Sequence, residues 1–169
     1  MSTPERALSV LVVCMGNICR SPTGEAALVE AARELGLPLE VASAGTGDWH
    51  VGHPPDPRMV DAASAVGLEL SGTAELVDAQ RLEAADLVLA MDAANLRDLE
   101  RLAGSTGITT PIRRFREFDP EAHGDLDVAD PYHGGPDGFA DVVATCRRTA
   151  RALVGILLEE PGRVLGRAD

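Results

Sequence analysis

The sequence reads Val12-Val13-Cys14-Met15-Gly16-Asn17-Ile18-Cys19-Arg20-Ser21-Pro22 near its start. The apolar run Leu8–Val13 predicts a buried strand, and Ser21-Pro22 predicts the start of a helix, because proline suits the first helical position. The turn between them would gather backbone N–H groups and the positive end of the helix around Cys14. We therefore predict a phosphate-binding loop after strand 1, which favours the thiolate form of Cys14.

The turn residues support this interpretation. Gly16 permits backbone conformations that other residues resist, and Asn17 tolerates a left-handed turn. The thiolate is the nucleophilic form of cysteine, so Cys14 is a candidate nucleophile. The spacing of Cys14 and Arg20 alone leaves a second interpretation open, in which Cys14 is a buried residue at a strand end beside an unrelated helix.

Composition limits the function classes. The chain has 169 residues, of which 45% are hydrophobic and 3% aromatic, which predicts one globular domain with an aliphatic core. It contains no lysine, so Schiff-base chemistry, a lysine base and a Walker-type phosphate loop are excluded. The formal net charge of −12 argues against nucleic acid and anionic membranes as partners.

Cysteine and histidine usage predicts no metal and no cofactor. The three cysteines are too few for a disulfide framework or a zinc site, and the four histidines show no metal-ligand spacing. We therefore expect a reducing, cytoplasmic location. No apolar run approaches the roughly 18 residues of a membrane span, so we expect no membrane insertion.

Strand and helix patterns alternate along the chain. Strands are predicted at Leu8–Val13, Leu39–Ala44, Leu87–Met91 and within Ile108–Phe115; helices are predicted at Pro22–Leu35, Pro57–Val66, Gln80–Ala85, Asp92–Leu102 and Phe139–Leu158, with Gly104 closing the fourth. This order predicts the α/β class: three layers, with a doubly wound four-stranded parallel sheet and helices on both faces. Ligands of such folds bind beyond the carboxyl ends of the strands, where Cys14 is expected.

A long loop over Glu117–Pro136 is the second candidate functional segment. Thiolate attack on a phosphate ester needs a general acid to protonate the leaving oxygen, and Asp130 is our candidate. Pro131 restricts its backbone, and Tyr132 offers a flat wall to an aromatic leaving group. Asp-Pro pairs are common in turns and recur elsewhere in this chain, so the spacing alone leaves this choice open.

Four segments, in order, resemble the low-molecular-weight protein tyrosine phosphatases: residues 14–22, Ser43–Gly52, Asp86–Asp92 and Asp130–Tyr132. The resemblance covers nearly the whole chain and implies a single such domain over residues 1–169. It implies metal-independent hydrolysis of phosphotyrosine in proteins through a cysteinyl-phosphate intermediate. Cys14 would be the nucleophile, Arg20 the clamp on the phosphoryl oxygens, and Asp130 the general acid and then base.

The resemblance also implies roles for the surrounding residues. Substrate and phosphate binding would involve Met15, Gly16, Asn17, Ile18, Cys19, Ser21, Asp48, Trp49 and Tyr132, with Ser43 and Asp92 in support. Ser21 would hydrogen-bond the thiolate, and Asn17, held by Ser21 and Ser43, would keep the loop strained. Trp49 and Tyr132 would sandwich the substrate ring, and Asp48 would tune selectivity. The other interpretation of Trp49 is a half-buried loop anchor.

The sequence departs from the family pattern in two places. Family members commonly carry a histidine before an Ala-Arg pair that supports the asparagine of the loop; here the segment is Leu70–Glu75, and Thr73 could replace part of that support. His133 stands where a second aromatic is often found. Cys19 is either a redox partner of Cys14, as the family's paired loop cysteines imply, or a small packed side chain.

Two related activities fit the sequence less well. Arsenate reductases of similar fold need further cysteines, and residues 81–101 contain none. Arginine phosphatases of the same fold carry threonine at the position of Ile18 and lack the tyrosine, so Ile18 and Tyr132 favour phosphotyrosine. A non-catalytic phosphate-binding module remains the alternative from another class. Expected partners are phosphotyrosine proteins in signalling and a cognate tyrosine kinase, and we expect a monomer or weak self-association.

Overall fold

The computed structural model describes residues 6–131 and 136–166. In chain order, the elements are β1 (Leu8–Cys14), α1 (Arg20–Leu35), β2 (Leu39–Gly45), α2 (Pro57–Ser64), α3 (Ala79–Ala84), β3 (Leu87–Ala90), α4 (Ala93–Thr106), β4 (Ile112–Arg114), a 3-10 helix (Phe115–Phe118), α5 (Pro136–Glu159) and α6 (Pro161–Leu165). No helix in these ranges has both the length and the apolarity needed to cross a bilayer.

The four strands form one parallel sheet in the order β2-β1-β3-β4. Alternate residues of β1 face opposite layers: Val10, Val12 and Cys14 belong to one apolar cluster, and Leu11 and Val13 to the other. The first cluster includes side chains of α1, α2 and α5, and the second includes side chains of α3 and α4. The predicted parallel sheet with helices on both faces is therefore confirmed.

Parallel strands bring three chain segments to one edge of the sheet. Cys14, the last residue of β1, pairs in register with Gly45 at the end of β2. β3 ends at Ala90, which pairs with Val13, so Asp92 follows at the same edge. A Cβ at Gly45 would lie 2.6 Å from the carbonyl oxygen of Met15, so glycine allows the two strand ends to approach.

Several predicted helix boundaries differ from the structure by a few residues; α1, for example, begins at Arg20 instead of Pro22. The helix predicted to close at Gly104 continues to Thr106, and Gly107 caps it with a φ of 72°. Gly104 has no positive φ and lies inside the helix, whereas the left-handed conformation that ends a helix occurs at Gly107. α5 begins at Pro136, before the predicted Phe139, and α2 ends at Ser64 instead of Val66.

The short helix α6 was not predicted. Proline and glycine at positions 161 and 162 usually end a helix, but proline also fits the first turn of a new one. Val164 and Leu165 are buried against the same cluster as α5, so tertiary packing stabilises a segment with little local signal.

A buried ionic cluster holds the start of the 117–136 loop against α5. The Asp119 side chain is 0% exposed and accepts hydrogen bonds from Nε of Arg148 (2.7 Å) and Nε of Arg116 (2.9 Å). Arg116 Nη1 also donates to the carbonyl of Asp127 at 3.0 Å. The hydrogen bonds from Arg148 outweigh the effect of burial and hold the pKa of Asp119 well below its ordinary value. The cluster thereby ties the segment before Asp130 to the core.

We predict that Asp119→Ala lowers the free energy of unfolding by roughly 2–4 kcal/mol at neutral pH, because two arginines lose a buried acceptor. Because the pKa of Asp119 is lower in the folded protein, its ionised carboxylate stabilises the fold fully at pH values above the ordinary aspartate pKa of about 4. This contribution decreases as the pH falls below that value toward the lowered pKa. Urea unfolding at pH 7 and at about pH 3 should show the difference shrinking.

Asp98→Ala is the matched control, because Asp98 pairs with Arg101 at 3.5 Å on an exposed surface and should contribute well under about 1 kcal/mol. A loss for Asp119→Ala that stays constant across this pH range would contradict the assignment.

Candidate active site

The loop between β1 and α1 surrounds the sulfur of Cys14. Cys14 is 2% exposed, and its Sγ accepts a hydrogen bond from the backbone N–H of Asn17 at 3.2 Å. The hydroxyl of Ser21 lies 3.0 Å from the same sulfur. α1 starts at Arg20, so the positive end of its dipole adjoins the loop. Each of these groups stabilises negative charge on the sulfur.

Asn17 fixes the shape of this loop. Its φ is 58°, and it is the one non-glycine residue with a positive φ in the described parts of the chain. Its Nδ2 donates to Oγ of Ser21 (2.7 Å) and of Ser43 (3.0 Å), while its Oδ1 accepts from the backbone N–H of Glu75 (2.9 Å). These three hydrogen bonds offset the cost of the left-handed backbone.

Glu25 closes this network on the side away from the pocket. Ser43 Oγ donates to Oε1 of Glu25 at 2.6 Å. Thr73, which we considered as a partial replacement for the family's histidine, is exposed in the cavity behind the loop. The support comes instead from Glu25 and the backbone of Glu75. Sequence reasoning missed Glu25, although its position four residues after Ser21 places both on one face of α1.

Arg20 lies beneath the pocket with 3% of its surface exposed. Its Nη1 donates to Oδ2 of Asp92 at 2.7 Å and to the carbonyl of Val128 at 3.1 Å. Its Nη2 lies 3.7 Å from Oδ2 of Asp130. Burial lowers the pKa of Arg20, but the negative charge of Cys14 and the carboxylates of Asp92 and Asp130 outweigh it and hold the pKa above its ordinary value. The guanidinium is therefore a fixed positive charge.

Asp130 reaches the pocket from the segment 119–131, which follows the 3-10 helix; the predicted loop began at Glu117, but the 3-10 helix continues to Phe118. The N–H of Val128 donates to the carbonyl of Met91 at 2.7 Å, which ties this loop to the end of β3. The Asp130 side chain remains 38% exposed and contributes to the wall of the pocket. Tyr132 and His133 lie outside the described residues.

A pocket of about 270 Å³ brings the candidate catalytic residues together. Its lining consists of Cys14, Met15, Gly16, Ile18, Cys19, Arg20, Trp49, His50 and Asp130.

Trp49 is 68% exposed, so it is not the half-buried anchor of the alternative interpretation. Asp48 is exposed and does not contribute to the lining, whereas His50, absent from our predicted site, packs against Gly16. Asn17, Ser21, Ser43 and Asp92 support the site from below.

Comparison with known proteins identifies the family. The family model for low molecular weight phosphotyrosine protein phosphatase matches residues 9–162. A low molecular weight protein-tyrosine-phosphatase of Streptomyces coelicolor is 40% identical over 162 residues, covering 94% of this chain and 97% of that protein. The chain belongs to the low molecular weight phosphotyrosine protein phosphatase family. Because the relatives are protein-tyrosine phosphatases, the chain is a protein phosphatase. The family is cysteine-based and metal-independent.

Solved structures similar to this phosphatase include a tyrosine phosphatase and an arginine phosphatase. A protein tyrosine phosphatase from Entamoeba histolytica superposes with a TM-score of 0.86 at 28% identity, covering 92% of this chain and 99% of that chain. A Drosophila arginine phosphatase gives a TM-score of 0.84 at 30% identity, covering 89% and 98%. The fold alone therefore does not distinguish a phosphotyrosine substrate from a phosphoarginine substrate, so the side chains of the pocket must be considered.

The other two cysteines of this phosphatase are neutral thiols. Burial raises the pKa of Cys19 to about 12, with a smaller contribution from Asp56, and burial raises that of Cys146 to about 12. Within residues 6–131 and 136–166, no cluster of three or more histidine, cysteine or carboxylate side chains could hold a metal ion.

We predict that Asn17→Ala destabilises this phosphatase by about 1 kcal/mol more than Asn17→Gly does. Both variants lose the same side-chain hydrogen bonds, but glycine accepts a φ of 58° without strain. Urea unfolding of the two variants measures the difference. Equal stabilities would show that the backbone of Asn17 carries no strain.

Proposed function

We propose that this phosphatase hydrolyses phosphotyrosine in proteins through a cysteinyl-phosphate intermediate. Cys14 is the nucleophile, Arg20 binds the phosphoryl oxygens, and Asp130 is the general acid and then base. The observation that carries the proposal is the meeting of these three side chains in one pocket of about 270 Å³. The pocket offers a sulfur surrounded by hydrogen-bond donors, a buried guanidinium and a carboxyl group.

The first step transfers the phosphoryl group to sulfur. The Cys14 thiolate attacks phosphorus, an S–P bond forms, and the bond from phosphorus to the tyrosine oxygen breaks. Backbone amides of the loop and Nη2 of Arg20 stabilise the charge on the equatorial oxygens. Asp130 donates its proton to the leaving phenolate oxygen.

The second step releases phosphate. Asp130, now a carboxylate, accepts a proton from water while the water oxygen attacks phosphorus, and the S–P bond breaks. The sulfur leaves as a thiolate, which the hydroxyl of Ser21 and the N–H of Asn17 stabilise at 3.0 and 3.2 Å. Inorganic phosphate and free tyrosine side chain are the products.

The pocket wall supports an aromatic substrate. Trp49 exposes its ring at the rim, and Ile18 and Met15 add apolar surface beside it. We propose that Tyr132 also contributes to recognition of the aromatic ring. Because a solved neighbour is an arginine phosphatase, hydrolysis of a phosphoarginine peptide is the rival activity. At equal concentrations, a phosphotyrosine peptide should be hydrolysed faster, and a preference for phosphoarginine would overturn the proposed substrate.

We predict that Cys14→Ser lowers the rate of hydrolysis of p-nitrophenyl phosphate by about 10⁴-fold or more without unfolding the protein. The assay contains a chelator, because the proposed chemistry needs no metal. Cys146→Ala, which removes a buried thiol from α5, should retain activity wherever it remains folded by circular dichroism. Residual activity of Cys14→Ser close to wild type would exclude the proposed nucleophile.

We predict that Asp130→Asn lowers kcat/KM by about 100-fold or more on phenyl phosphate and much less on p-nitrophenyl phosphate. Phenolate needs a proton to leave, whereas nitrophenolate leaves readily without one. The comparison of both substrates therefore isolates the general acid. Asp137→Asn, at an exposed site in the first turn of α5, is the control. Equal losses on both substrates would contradict the role of Asp130.

A further inference from the structure

Four hydrogen bonds in series connect a carboxyl group on α1 to the sulfur of Cys14. Glu25 Oε1 accepts from Ser43 Oγ at 2.6 Å, and Ser43 Oγ accepts from Asn17 Nδ2 at 3.0 Å. The same Nδ2 donates to Ser21 Oγ at 2.7 Å, and Ser21 Oγ lies 3.0 Å from Cys14 Sγ. We refer to these five residues as the relay.

The proton inventory of the relay fixes the direction of each bond. Ser43 has one hydroxyl proton, which Glu25 accepts, so its lone pairs are left for Asn17. The two protons of the Asn17 amide are then both used, on Ser43 and on Ser21. Ser21 already accepts from Asn17, so its own proton is directed to Cys14 Sγ, with the Ala44 carbonyl at 3.5 Å as the weaker alternative.

We propose that Glu25 is a positioning residue for Cys14, acting through Ser43, Asn17 and Ser21 to aim the Ser21 hydroxyl at the sulfur. The inference rests on the proposed nucleophilic role of Cys14. A carboxylate can only accept hydrogen bonds, so it forces the Ser43 proton away from Asn17. Without that acceptor, the Ser43 hydroxyl can turn its proton toward Asn17 Nδ2, and the hydrogen bond that helps to hold the Asn17 amide against Ser21 is lost.

The surroundings of Glu25 fit an acceptor better than an ion-pair partner. The nearby guanidinium of Arg81 bonds to Glu75 and to the carbonyl of Ser43. Burial raises the pKa of Glu25, the hydrogen bond from Ser43 opposes this, and the charge of Glu75 adds to it. A cavity of about 120 Å³, lined by Glu25, Ser43 and Glu75, lies behind the loop and is large enough to hold water.

The relay acts on both proposed steps. In the free enzyme, a hydrogen bond from Ser21 stabilises the thiolate relative to the thiol, so more of the nucleophile is ready at a given pH. In the second step, the same bond stabilises the departing sulfur. Loss of Glu25 should therefore lower kcat while leaving the groups that touch the phosphate in place.

The test compares Glu25→Ala and Glu25→Gln with wild type. Glu25→Ala should lower kcat on p-nitrophenyl phosphate roughly three- to tenfold with KM nearly unchanged, about the effect of one hydrogen bond. The midpoint of the pH profile for alkylation of Cys14 by iodoacetamide should move up by about half a unit to one unit. Glu25→Gln keeps an acceptor oxygen and should restore much of both properties.

Glu34→Ala is the matched control, because Glu34 lies on the same helix and pairs with Arg151 at the surface. It should change neither kcat nor the alkylation profile. A Glu25→Ala variant that loses thermal stability but keeps the wild-type alkylation profile would overturn the relay and leave a structural role only. If Cys14→Ser remained active, the proposed function itself would fail, whatever the Glu25 variants show.

Discussion

The left-handed backbone of Asn17 is the constraint on which the active site depends. It turns the chain between β1 and α1 so that an N–H group points at Cys14 Sγ, and three side-chain hydrogen bonds hold it there. Two partners of those bonds come from other elements: Ser43 lies in β2, and Glu75 lies in the segment between α2 and α3. The shape of the loop therefore depends on the sheet and on the segment after α2.

Arg20 links this loop to the segment that carries the proposed acid. One nitrogen of its guanidinium is engaged by Asp92 and the Val128 carbonyl, while the other faces Asp130. Nη1 of the arginine thus binds the segment that carries the acid, and Nη2 is left to bind an anion. Burial of this charge is tolerable because carboxylates on both sides compensate for the lost hydration.

Local signals predicted the parts of the structure that are locally encoded. The apolar run of β1, the turn residues Gly16 and Asn17, and the helix start at Ser21-Pro22 each have a short-range cause, and the structure agrees with the predicted fold. The end of α4 is set by Gly107, the second of two glycines that could close the helix, and α6 depends on packing against the core cluster, so glycine and proline signals alone did not place them. Glu25 was missed because its partner Ser43 lies on a different element, β2.

The most direct test of the account is to look for phosphate on the sulfur. Rapid acid quenching during turnover of an aryl phosphate, followed by mass spectrometry of the peptides, should show one added phosphoryl group on Cys14 and on neither Cys19 nor Cys146. A protein that turns over substrate with Cys14 unlabelled, or with the phosphoryl group on another residue, would contradict the mechanism.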